Sequence, residues 1–180
     1  MEIEVAPRGA QWRLSYGPHL WRCTVGRGGI TDDKHEGDGA TPAGCWALRR
    51  LFYRPDRLPA PDSPFDTAGI TPSDGWCDDP GAADYNRLVR LPCTARHERL
   101  WREDGLYDLV VTLGYNDDPP HPGRGSAIFL HVARKDYAPT EGCVALALTD
   151  LSVLLREVTA ETRLCIRPAP VSPAAVTPRS

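Results

Sequence analysis

Cys143 and His131 combine residue types and spacing that suit nucleophilic catalysis. A cysteine attacks carbonyl groups as its thiolate, so a nearby base or positive potential must populate the thiolate near neutral pH, and backbone N–H groups must receive the oxyanion that forms. Cys143 ends the segment Thr140-Glu141-Gly142-Cys143, in which glycine allows a sharp turn and leaves amides uncovered. The segment therefore predicts a nucleophile beside an oxyanion site.

The position of His131 makes it the candidate base. It lies twelve positions before Cys143 and follows an apolar segment, Ala127 to Leu130. If this segment and the one that begins at Cys143 are paired strands, the imidazole and the sulfur lie side by side, because paired strands are about 4.8 Å apart. The alternative interpretation is structural: Cys143 is then a small buried hydrophobic residue and His131 a hydrogen-bonded residue at a strand end.

The other cysteines are weaker candidates. Cys45 also follows a glycine, but it begins an apolar segment and its nearest histidine, His35, lies in a charged loop, so a core position is predicted for it. Asp78 and Asp79 should raise the pKa of the neighbouring Cys77. No C-x-x-C pair occurs, so no zinc site is predicted, and spacing alone assigns no disulfide. Packing positions are expected for the remaining three, Cys23, Cys93 and Cys165.

The composition restricts the class of protein. A length of 180 residues fits one domain, which we predict over residues 1–167, followed by a flexible tail over residues 168–180. The net charge of -3 does not favour nucleic-acid binding. No apolar run approaches the roughly 20 residues that span a bilayer, so no transmembrane segment is predicted. We expect a monomer without a cofactor or a bound metal.

Short apolar segments predict a mainly β fold, because 18 prolines and 16 glycines interrupt the chain. One helix is predicted, with Thr149 as its N-cap and Val158 at its end. The stretch from Pro55 to Pro92 is predicted to be a long ordered excursion outside the core that shapes a binding site. Solvated surface positions are expected for His19, His97 and His121. Eight segments are candidate strands: Glu2 to Ala6, Gln11 to Tyr16, Leu20 to Val25, Cys45 to Tyr53, Leu106 to Leu113, Ala127 to Val132, Cys143 to Leu148 and Thr162 to Arg167.

Three segments together resemble the L,D-transpeptidase catalytic domain, the YkuD-like fold of bacterial cell-wall enzymes. The segment from Gly26 to Gly44 is similar to the N-terminal signature of that family, in which a T-P-x-G turn precedes a strand. His131 closes a buried strand, and Thr140 to Cys143 is similar to the S/T-x-G-C nucleophile motif. The order of the three motifs makes the match specific over about residues 10 to 167. The resemblance implies a β-sandwich or barrel with one or two short helices.

The resemblance also implies acyl transfer on peptidoglycan. In the family, cysteine attacks the carbonyl between an L- and a D-centre of a tetrapeptide stem, the terminal D-alanine leaves, and an amine of a neighbouring stem takes the acyl group from the thioester. Cys143 is then the nucleophile and His131 the base and later the acid. The amides of Gly142 and Cys143 are the oxyanion donors. The carbonyl of Val132 orients His131, and Thr140 holds the turn by a side-chain hydrogen bond.

Two departures from the family pattern affect substrate binding. Many members have Arg or Asn two residues after the cysteine, where this chain has Ala145, and the loop between histidine and cysteine is shorter here. Arg134 or Lys135 is therefore expected to supply the positive charge. Loop carboxylates are candidates for attracting the free amines of the stems, although such residues are more commonly solvated. They are Glu36, Asp38, Asp78 and Asp79.

Alternatives to acyl transfer remain open at the level of sequence. An L,D-carboxypeptidase or amidase would hydrolyse the same bond with the same thiolate, base and oxyanion site. A non-catalytic peptidoglycan-binding domain with the same fold is the third alternative. The family is normally exported, so a periplasmic or cell-envelope location is expected, with a cytoplasmic role as the alternative because no secretory signal is visible.

Overall fold

Short strands joined by tight turns build the molecule, which confirms the predicted mainly β fold. The computed structural model describes residues 1–168. Strands account for 39% of the described residues and helix for 6%. Except for Pro168, the predicted tail over residues 168–180 lies outside the described residues. Within residues 1–168, no helix is long and apolar enough to cross a membrane.

Fourteen strands and one helix are described. In chain order they are β1 (Glu2–Arg8), β2 (Gln11–Tyr16), β3 (His19–Thr24), β4 (Ile30–Thr31), β5 (Thr41–Pro42), β6 (Gly44–Tyr53), β7 (Asp66–Gly69), β8 (Asp74–Cys77), β9 (Leu88–Arg90), β10 (His97–Arg99), β11 (Leu109–Leu113), β12 (Phe129–Val132), β13 (Val144–Leu146), α1 (Leu148–Glu157) and β14 (Arg163–Ile166).

The main sheet closes into a barrel. Its strand order is β11-β12-β13-β3-β2-β1-β14-β6-β7, and a further pairing of β11 with β6 joins the two sides. β7 lies outside this ring and pairs only with β6 in the main sheet. Of the two architectures that the resemblance implied, sandwich or barrel, the structure is the barrel. A closed ring leaves no long strand edge free to pair with other chains.

Two apolar layers lie on either side of the barrel wall. Residues that face inward along β1, β2, β11 and β13 form the main core, and α1 covers it with Leu151, Leu154 and Leu155. A second, smaller cluster lies between β11, β12 and the sheet of β10, β8 and β9. Its members are Phe52, Ile70, Leu100, Tyr107, Val110, Phe129 and Cys143. Cys143 thus belongs to the layer outside the barrel.

The connection between β12 and β13 positions the predicted catalytic pair. The two strands are parallel, with Leu130 opposite Val144 and His131 opposite Ala145. Cys143 immediately precedes Val144, so its backbone lies beside Phe129, the first residue of β12. Parallel neighbours usually need a crossover of a dozen or more residues, and here residues 133–143 make this return without a helix.

Two predictions about local structure are wrong. α1 begins at Leu148 with Ala147 as the N-cap and without a side-chain cap. Thr149 therefore lies in the first turn, where its Oγ1 is 3.4 Å from Asp150 Oδ1. The excursion from Pro55 to Pro92 is ordered, but β7 within it joins the main sheet and Ile70 is buried, so the excursion also contributes to the core.

The cysteines outside the nucleophile motif differ partly from expectation. Cys165 is buried, as predicted, and Cys45 is half-buried, but the two residues face each other on β14 and β6 and form a disulfide that the sequence analysis left unassigned. This pairing needs the strand register, which sequence spacing does not give. The pKa of Cys77 is raised, mainly because the thiol is buried and further by the charges of Asp79 and Asp78. Its direction is the predicted one.

Two of the three histidines expected at the surface are half-buried. His19 stacks on Trp21 and its Nε2 lies 3.0 Å from an oxygen of Glu157. His97 lies in β10, and its Nδ1 is 3.3 Å from the sulfur of Cys93. Glu157, which contacts His19, is 138 positions away in sequence, and His97 lies in β10, which pairs with the distant strand β8. The surface prediction therefore fails for these two residues. His121 is exposed, as predicted.

Candidate active site

A cavity of about 500 Å³ opens beside β12 and the Thr140–Cys143 turn. We call it the thiol cavity because Cys143 and His131 both line it. Its walls come from the main barrel, the Gly26–Gly44 segment and β10. The charged residues that line it are Lys34, Glu36, Asp78, Arg96, Glu98, Arg102, Arg134 and Glu141. Both signs of charge therefore face one space, as a zwitterionic ligand requires.

Cys143 is held in place by hydrogen bonds to its sulfur. Cys143 is 8% exposed. Its Sγ accepts a hydrogen bond from the Phe129 N–H at 3.3 Å and donates one to the Ala127 carbonyl at 3.2 Å. Burial raises the pKa of this thiol to about 12, and the negative charge of Glu98 acts in the same direction. The thiol is therefore protonated at neutral pH.

His131 has a defined tautomer. Its Nδ1 lies 2.9 Å from the carbonyl oxygen of Val132, and a carbonyl can only accept, so Nδ1 carries the proton. The lone pair is then on Nε2, where it can accept a proton. Burial lowers the pKa of His131 to about 4. The expectation of a thiolate populated near neutral pH is thus wrong for this structure: the thiol and the imidazole are both neutral.

Thr140 and Gly142 shape the turn that carries the thiol. Thr140 Oγ1 donates to the carbonyl of Cys143 at 2.6 Å and accepts from the Gly142 N–H at 3.2 Å. Gly142 has φ +138°, and a Cβ at this position would lie 2.9 Å from the backbone oxygen of Ala40. Glycine is therefore required both by the backbone conformation and by the close neighbour. The side-chain hydrogen bond expected of Thr140 is present.

The glycine-rich N-terminal segment packs against this turn and forms hydrogen bonds with its backbone. Arg27 N–H donates to the Thr140 carbonyl at 2.8 Å, and Thr140 N–H donates to the carbonyl of Val25 at 2.9 Å. A Cβ on Gly26 would lie 2.2 Å from the carbonyl oxygen of Gly39. The glycines thus allow two stretches of backbone to pack closely against the nucleophile turn.

Asn86, in the excursion after β6, holds the residue that accepts the thiol hydrogen bond. Ala127 has an unusual φ of +52°. Its N–H donates to Asn86 Oδ1 at 3.0 Å, and the same oxygen accepts from Trp76 Nε1 at 2.9 Å. The excursion between Pro55 and Pro92 therefore shapes the site, as its position in the sequence suggested. Asn86 was missed because its role depends on a contact across 41 positions of sequence.

Among the predicted substrate-binding residues, Arg134 and Glu36 reach the thiol cavity. Arg134 is more than half exposed, with its guanidinium 3.9 Å from Asp104, so it remains accessible to an anionic group. Glu36 Oε2 accepts hydrogen bonds from Tyr85 at 2.5 Å and from Ser126 at 2.7 Å. That carboxylate oxygen is thus already satisfied by the protein.

Asp38 does not line the cavity. Its carboxylate accepts from the N–H groups of His35 and Ala40, both at 2.8 Å, and pairs with the buried ammonium of Lys34. These bonds hold its pKa below the usual range against the opposing effect of burial. Asp38 therefore fixes the loop that contributes Lys34 to the cavity wall. Among the other candidates, Asp78 lines the cavity, whereas Lys135 and Asp79 do not.

Glu98, Arg102 and Tyr107 form a polar group in the cavity that the sequence did not indicate. Tyr107 Oη donates to Glu98 Oε1 at 2.6 Å, and Arg102 Nη1 donates to the same oxygen at 3.2 Å. The ring of Tyr107 packs edge-on against His131, with centroids 5.3 Å apart. The segment containing Glu98 and Arg102 is polar apart from Leu100 and Trp101, and only the charge pair at four-residue spacing could have drawn attention to it.

The described residues contain one group of three potential metal ligands close together, Glu2, Cys45 and Cys165. Its two sulfurs are bonded to each other in the disulfide and have no thiolate to offer a metal. The residues in the thiol cavity are suited instead to proton transfer and covalent chemistry by the protein's own side chains.

The chain is similar to known proteins over most of its length. The family model of the YkuD L,D-transpeptidase catalytic domain matches residues 11–171. No curated protein matches the chain. Among solved structures, the chain is similar to the helical cell shape determining protein Pgp2 from Campylobacter jejuni, at 14% identity and a TM-score of 0.45. The match covers 93% of this chain and 47% of Pgp2, so the chain spans about half the length of that protein.

Proposed function

Because this chain belongs to the L,D-transpeptidase catalytic domain family, we propose that it is a cysteine-dependent acyl transferase that acts on the peptide stems of peptidoglycan. One observation carries the proposal: Cys143 and His131 line the same cavity, and His131 has its proton on Nδ1, which leaves Nε2 free to accept another. A thiol and a free imidazole nitrogen in one cavity are the minimum equipment for forming a thioester.

In the first half-reaction, the stem carbonyl between an L- and a D-centre enters the thiol cavity. The thiol leaves its hydrogen bond to the Ala127 carbonyl, and its proton moves to Nε2 of His131 while the sulfur attacks the carbonyl carbon. Because both groups are neutral beforehand, proton transfer accompanies the attack rather than preceding it. The C–N bond then breaks, the amine of D-alanine takes the proton from His131, and the acyl group remains on the sulfur as a thioester.

The nucleophile turn supplies the oxyanion donors in this proposal. The N–H of Gly142 donates to Thr140 Oγ1 at 3.2 Å, a long hydrogen bond. The N–H of Cys143 follows it in the same turn, and both amides can bind an oxygen that carries developing negative charge once the Gly142 N–H leaves Thr140 Oγ1. Thr140 also fixes the carbonyl of Cys143 at 2.6 Å, which restricts the orientation of both peptide groups.

The second half-reaction distinguishes transfer from hydrolysis. In transfer, an amine of a second stem attacks the thioester and forms a cross-link. In hydrolysis, water attacks and a tripeptide is released. The mixed charges of the cavity favour transfer, since a stem acceptor carries both an ammonium and carboxylates that Glu98, Asp78 and Arg134 can contact. A non-catalytic role is disfavoured because the thiol opens into a cavity of about 500 Å³.

We place this activity in the cell envelope, where peptidoglycan lies. The Cys45–Cys165 disulfide supports that location, because disulfides persist in oxidising compartments such as the periplasm.

The products formed from a defined stem test the proposal. The protein is incubated with a disaccharide tetrapeptide, and the products are weighed by mass spectrometry. We expect cross-linked dimers together with free D-alanine. Tripeptide without dimers would replace transfer by hydrolysis, and unchanged substrate would remove the proposed enzyme. Cys93→Ser is the matched control, because Cys93 lies outside the thiol cavity and its loss should leave the products unchanged.

A further inference from the structure

Glu98 is a carboxylate in the thiol cavity that takes no part in the first half-reaction described above. It lies in β10 and its side chain is 29% exposed, so it is partly withdrawn from water while lining the cavity. After burial, its negative charge is the next cause that raises the pKa of Cys143. A carboxylate in this position disfavours the thiolate, so it does not activate Cys143 as a nucleophile.

The two oxygens of Glu98 have different surroundings. Oε1 accepts from Tyr107 Oη at 2.6 Å and from Arg102 Nη1 at 3.2 Å. Within residues 1–168, no hydrogen bond reaches Oε2. Asp104 takes the Nε and Nη2 groups of Arg102, at 3.0 and 2.6 Å, so the guanidinium is shared between two carboxylates. One oxygen of Glu98 is therefore fixed by the protein, and the other is available to a ligand.

The fixed oxygen ties Glu98 to the catalytic histidine. Tyr107 bonds to Glu98 through its hydroxyl and packs against the ring of His131 at 5.3 Å between centroids. Tyr107 is 5% exposed, so this bridge is rigid in its packing. Glu98 and His131 therefore keep a constant relation to each other and line the same cavity.

A cation beside the free oxygen is favoured by burial and by the nearby carboxylates. Burial raises the pKa of Glu98, and the charges of Asp78 and Asp104 act in the same direction, whereas Arg102 opposes them. An ammonium group at the free oxygen would offset the lost hydration and this repulsion. The other carboxylates of the cavity are less available: Glu36 has an oxygen bound by Tyr85 and Ser126, Asp78 is paired with Arg96 at 3.0 Å, and Glu141 is paired with Arg27 at 2.8 Å.

We propose that Glu98 binds the ammonium group of the acyl acceptor and accepts a proton from it, which prepares the amine to attack the thioester on Cys143. This assignment rests on the proposed function, since it concerns the second half-reaction of the same site. A primary amine is protonated near neutral pH and is then no nucleophile, so a base must be provided where it binds. A carboxyl group with a raised pKa is a better base than an ordinary one.

Protons and bonds are conserved in this half-reaction. Glu98 takes one proton from the ammonium, giving a neutral amine and a neutral carboxyl group. The amine nitrogen attacks the thioester carbon and forms the C–N bond, and Nε2 of His131 takes the second proton from that nitrogen. The C–S bond breaks with its electron pair going to sulfur, and His131 returns its proton to the sulfur of Cys143. Glu98 then releases its proton to water, so the site is restored.

Glu98→Gln tests this role, because glutamine keeps an oxygen that can accept from Tyr107 and Arg102 while the negative charge is lost. Single-turnover release of D-alanine measures acylation, and the ratio of amine-transfer product to tripeptide measures how the thioester is resolved. We expect acylation to rise several-fold, since a charge that raises the pKa of the thiol has gone. Transfer to a stem amine should fall about a hundredfold, the usual contribution of a general base.

Glu103→Gln is the matched control. It removes one negative charge at an exposed residue outside the thiol cavity, paired with Arg57 at 2.7 Å, and both half-reactions should stay within about twofold of the wild type. If Glu98→Gln slows both half-reactions together, or leaves amine transfer unchanged, the assignment is wrong. A wild-type protein that forms the thioester but transfers nothing to amines would remove the role of Glu98 alone. A protein that never forms the thioester would remove the proposed function as well.

Discussion

Two glycine-cysteine steps in this chain have similar backbones and different chemistry. Gly44 and Gly142 have φ +125° and +138°, and each is followed by a cysteine. Cys45 lies opposite Cys165 and forms a disulfide, whereas Cys143 lies in the thiol cavity with His131. The same local motif thus permits a sharp turn in both places. The residues on neighbouring strands decide whether its sulfur becomes a cross-link or a candidate nucleophile.

The largest difference between the two steps should appear on removal of the sulfur. Cys143→Ala should reduce D-alanine release from a tetrapeptide stem by roughly a thousandfold or more, because no other group can form the thioester. The double variant Cys45→Ala with Cys165→Ala should retain turnover at temperatures where it is folded. D-alanine assays on both proteins make the comparison. If the disulfide variant lost turnover while circular dichroism showed an intact fold, the proposed difference between Cys143 and the Cys45–Cys165 pair would be contradicted.

A smaller effect is expected when each glycine gains a methyl group. A Cβ at position 142 would lie 2.9 Å from the oxygen of Ala40, and a Cβ at position 44 would lie 2.7 Å from the Trp46 ring. Both Gly142→Ala and Gly44→Ala should lower the free energy of unfolding by about 1–3 kcal/mol, because both positions have positive φ. Only Gly142→Ala should also lower turnover of the folded protein, by about a hundredfold, since it displaces the thiol.

Urea unfolding together with D-alanine release at a temperature where both variants are folded separates these effects. Equal losses of turnover would mean that the turn at Gly142 has no special relation to the chemistry.

The disulfide itself should stabilise the barrel without taking part in the reaction. It joins β6 to β14 across 120 positions of sequence, so it restricts the unfolded chain strongly. We expect its removal to lower the free energy of unfolding by about 2–4 kcal/mol, measured as a shift of the urea midpoint. An unchanged midpoint would show that these cysteines are not bonded in the protein. Cys23→Ala, at a buried free cysteine, is the comparison for loss of sulfur alone.

The pH dependence of stability should also differ between the His131–Cys143 site and the Cys45–Cys165 disulfide. Burial lowers the pKa of His131 from 6.5 to about 4. Between these values the unfolded chain binds a proton that the folded chain does not. His131 therefore makes stability fall as the pH falls from about 6.5 to about 4, by up to roughly 3 kcal/mol. The disulfide does not titrate and contributes no such dependence.

His131→Gln should remove this component, so the difference between wild-type and variant stability should decrease toward acid pH. A difference that stays constant over this range would mean that His131 is not held neutral by burial.

Above about pH 9, the raised pKa of Cys143 should produce a separate loss of stability as the pH rises, because the unfolded thiol ionises first.

Eight of the fourteen described strands and the positions of the candidate catalytic pair were accessible from the sequence because their signals are local, whereas β4, β5 and β7 to β10 were missed. Alternation of apolar residues located β2 to the residue, and the continuous run Leu109-Val110-Val111 matches a strand buried on both faces. The order of His131 and the Gly142-Cys143 turn indicated the site. These features depend on residues close in sequence or on a short loop between two strands.

The remaining features depend on strand register and long-range packing. The Cys45–Cys165 pairing requires β6 and β14 to be neighbours in a specific register. The cap predicted at Thr149 failed because the chain turns from β13 directly into α1 at Ala147. Glu98 reaches the thiol cavity only because β10 packs beside the barrel, and in sequence it lies within a polar run. The neutral state of the thiol follows from burial, which residue types alone do not reveal.

The most direct measurement of the central claim is the mass of the covalent intermediate. The protein is mixed with a tetrapeptide stem, quenched with acid during the first turnover, digested and mapped by mass spectrometry. We predict a tripeptidyl adduct on Cys143 and on none of the other cysteines, and no adduct in Cys143→Ala. Turnover of the stem without an adduct on Cys143, or with the adduct on a different residue, would contradict the account.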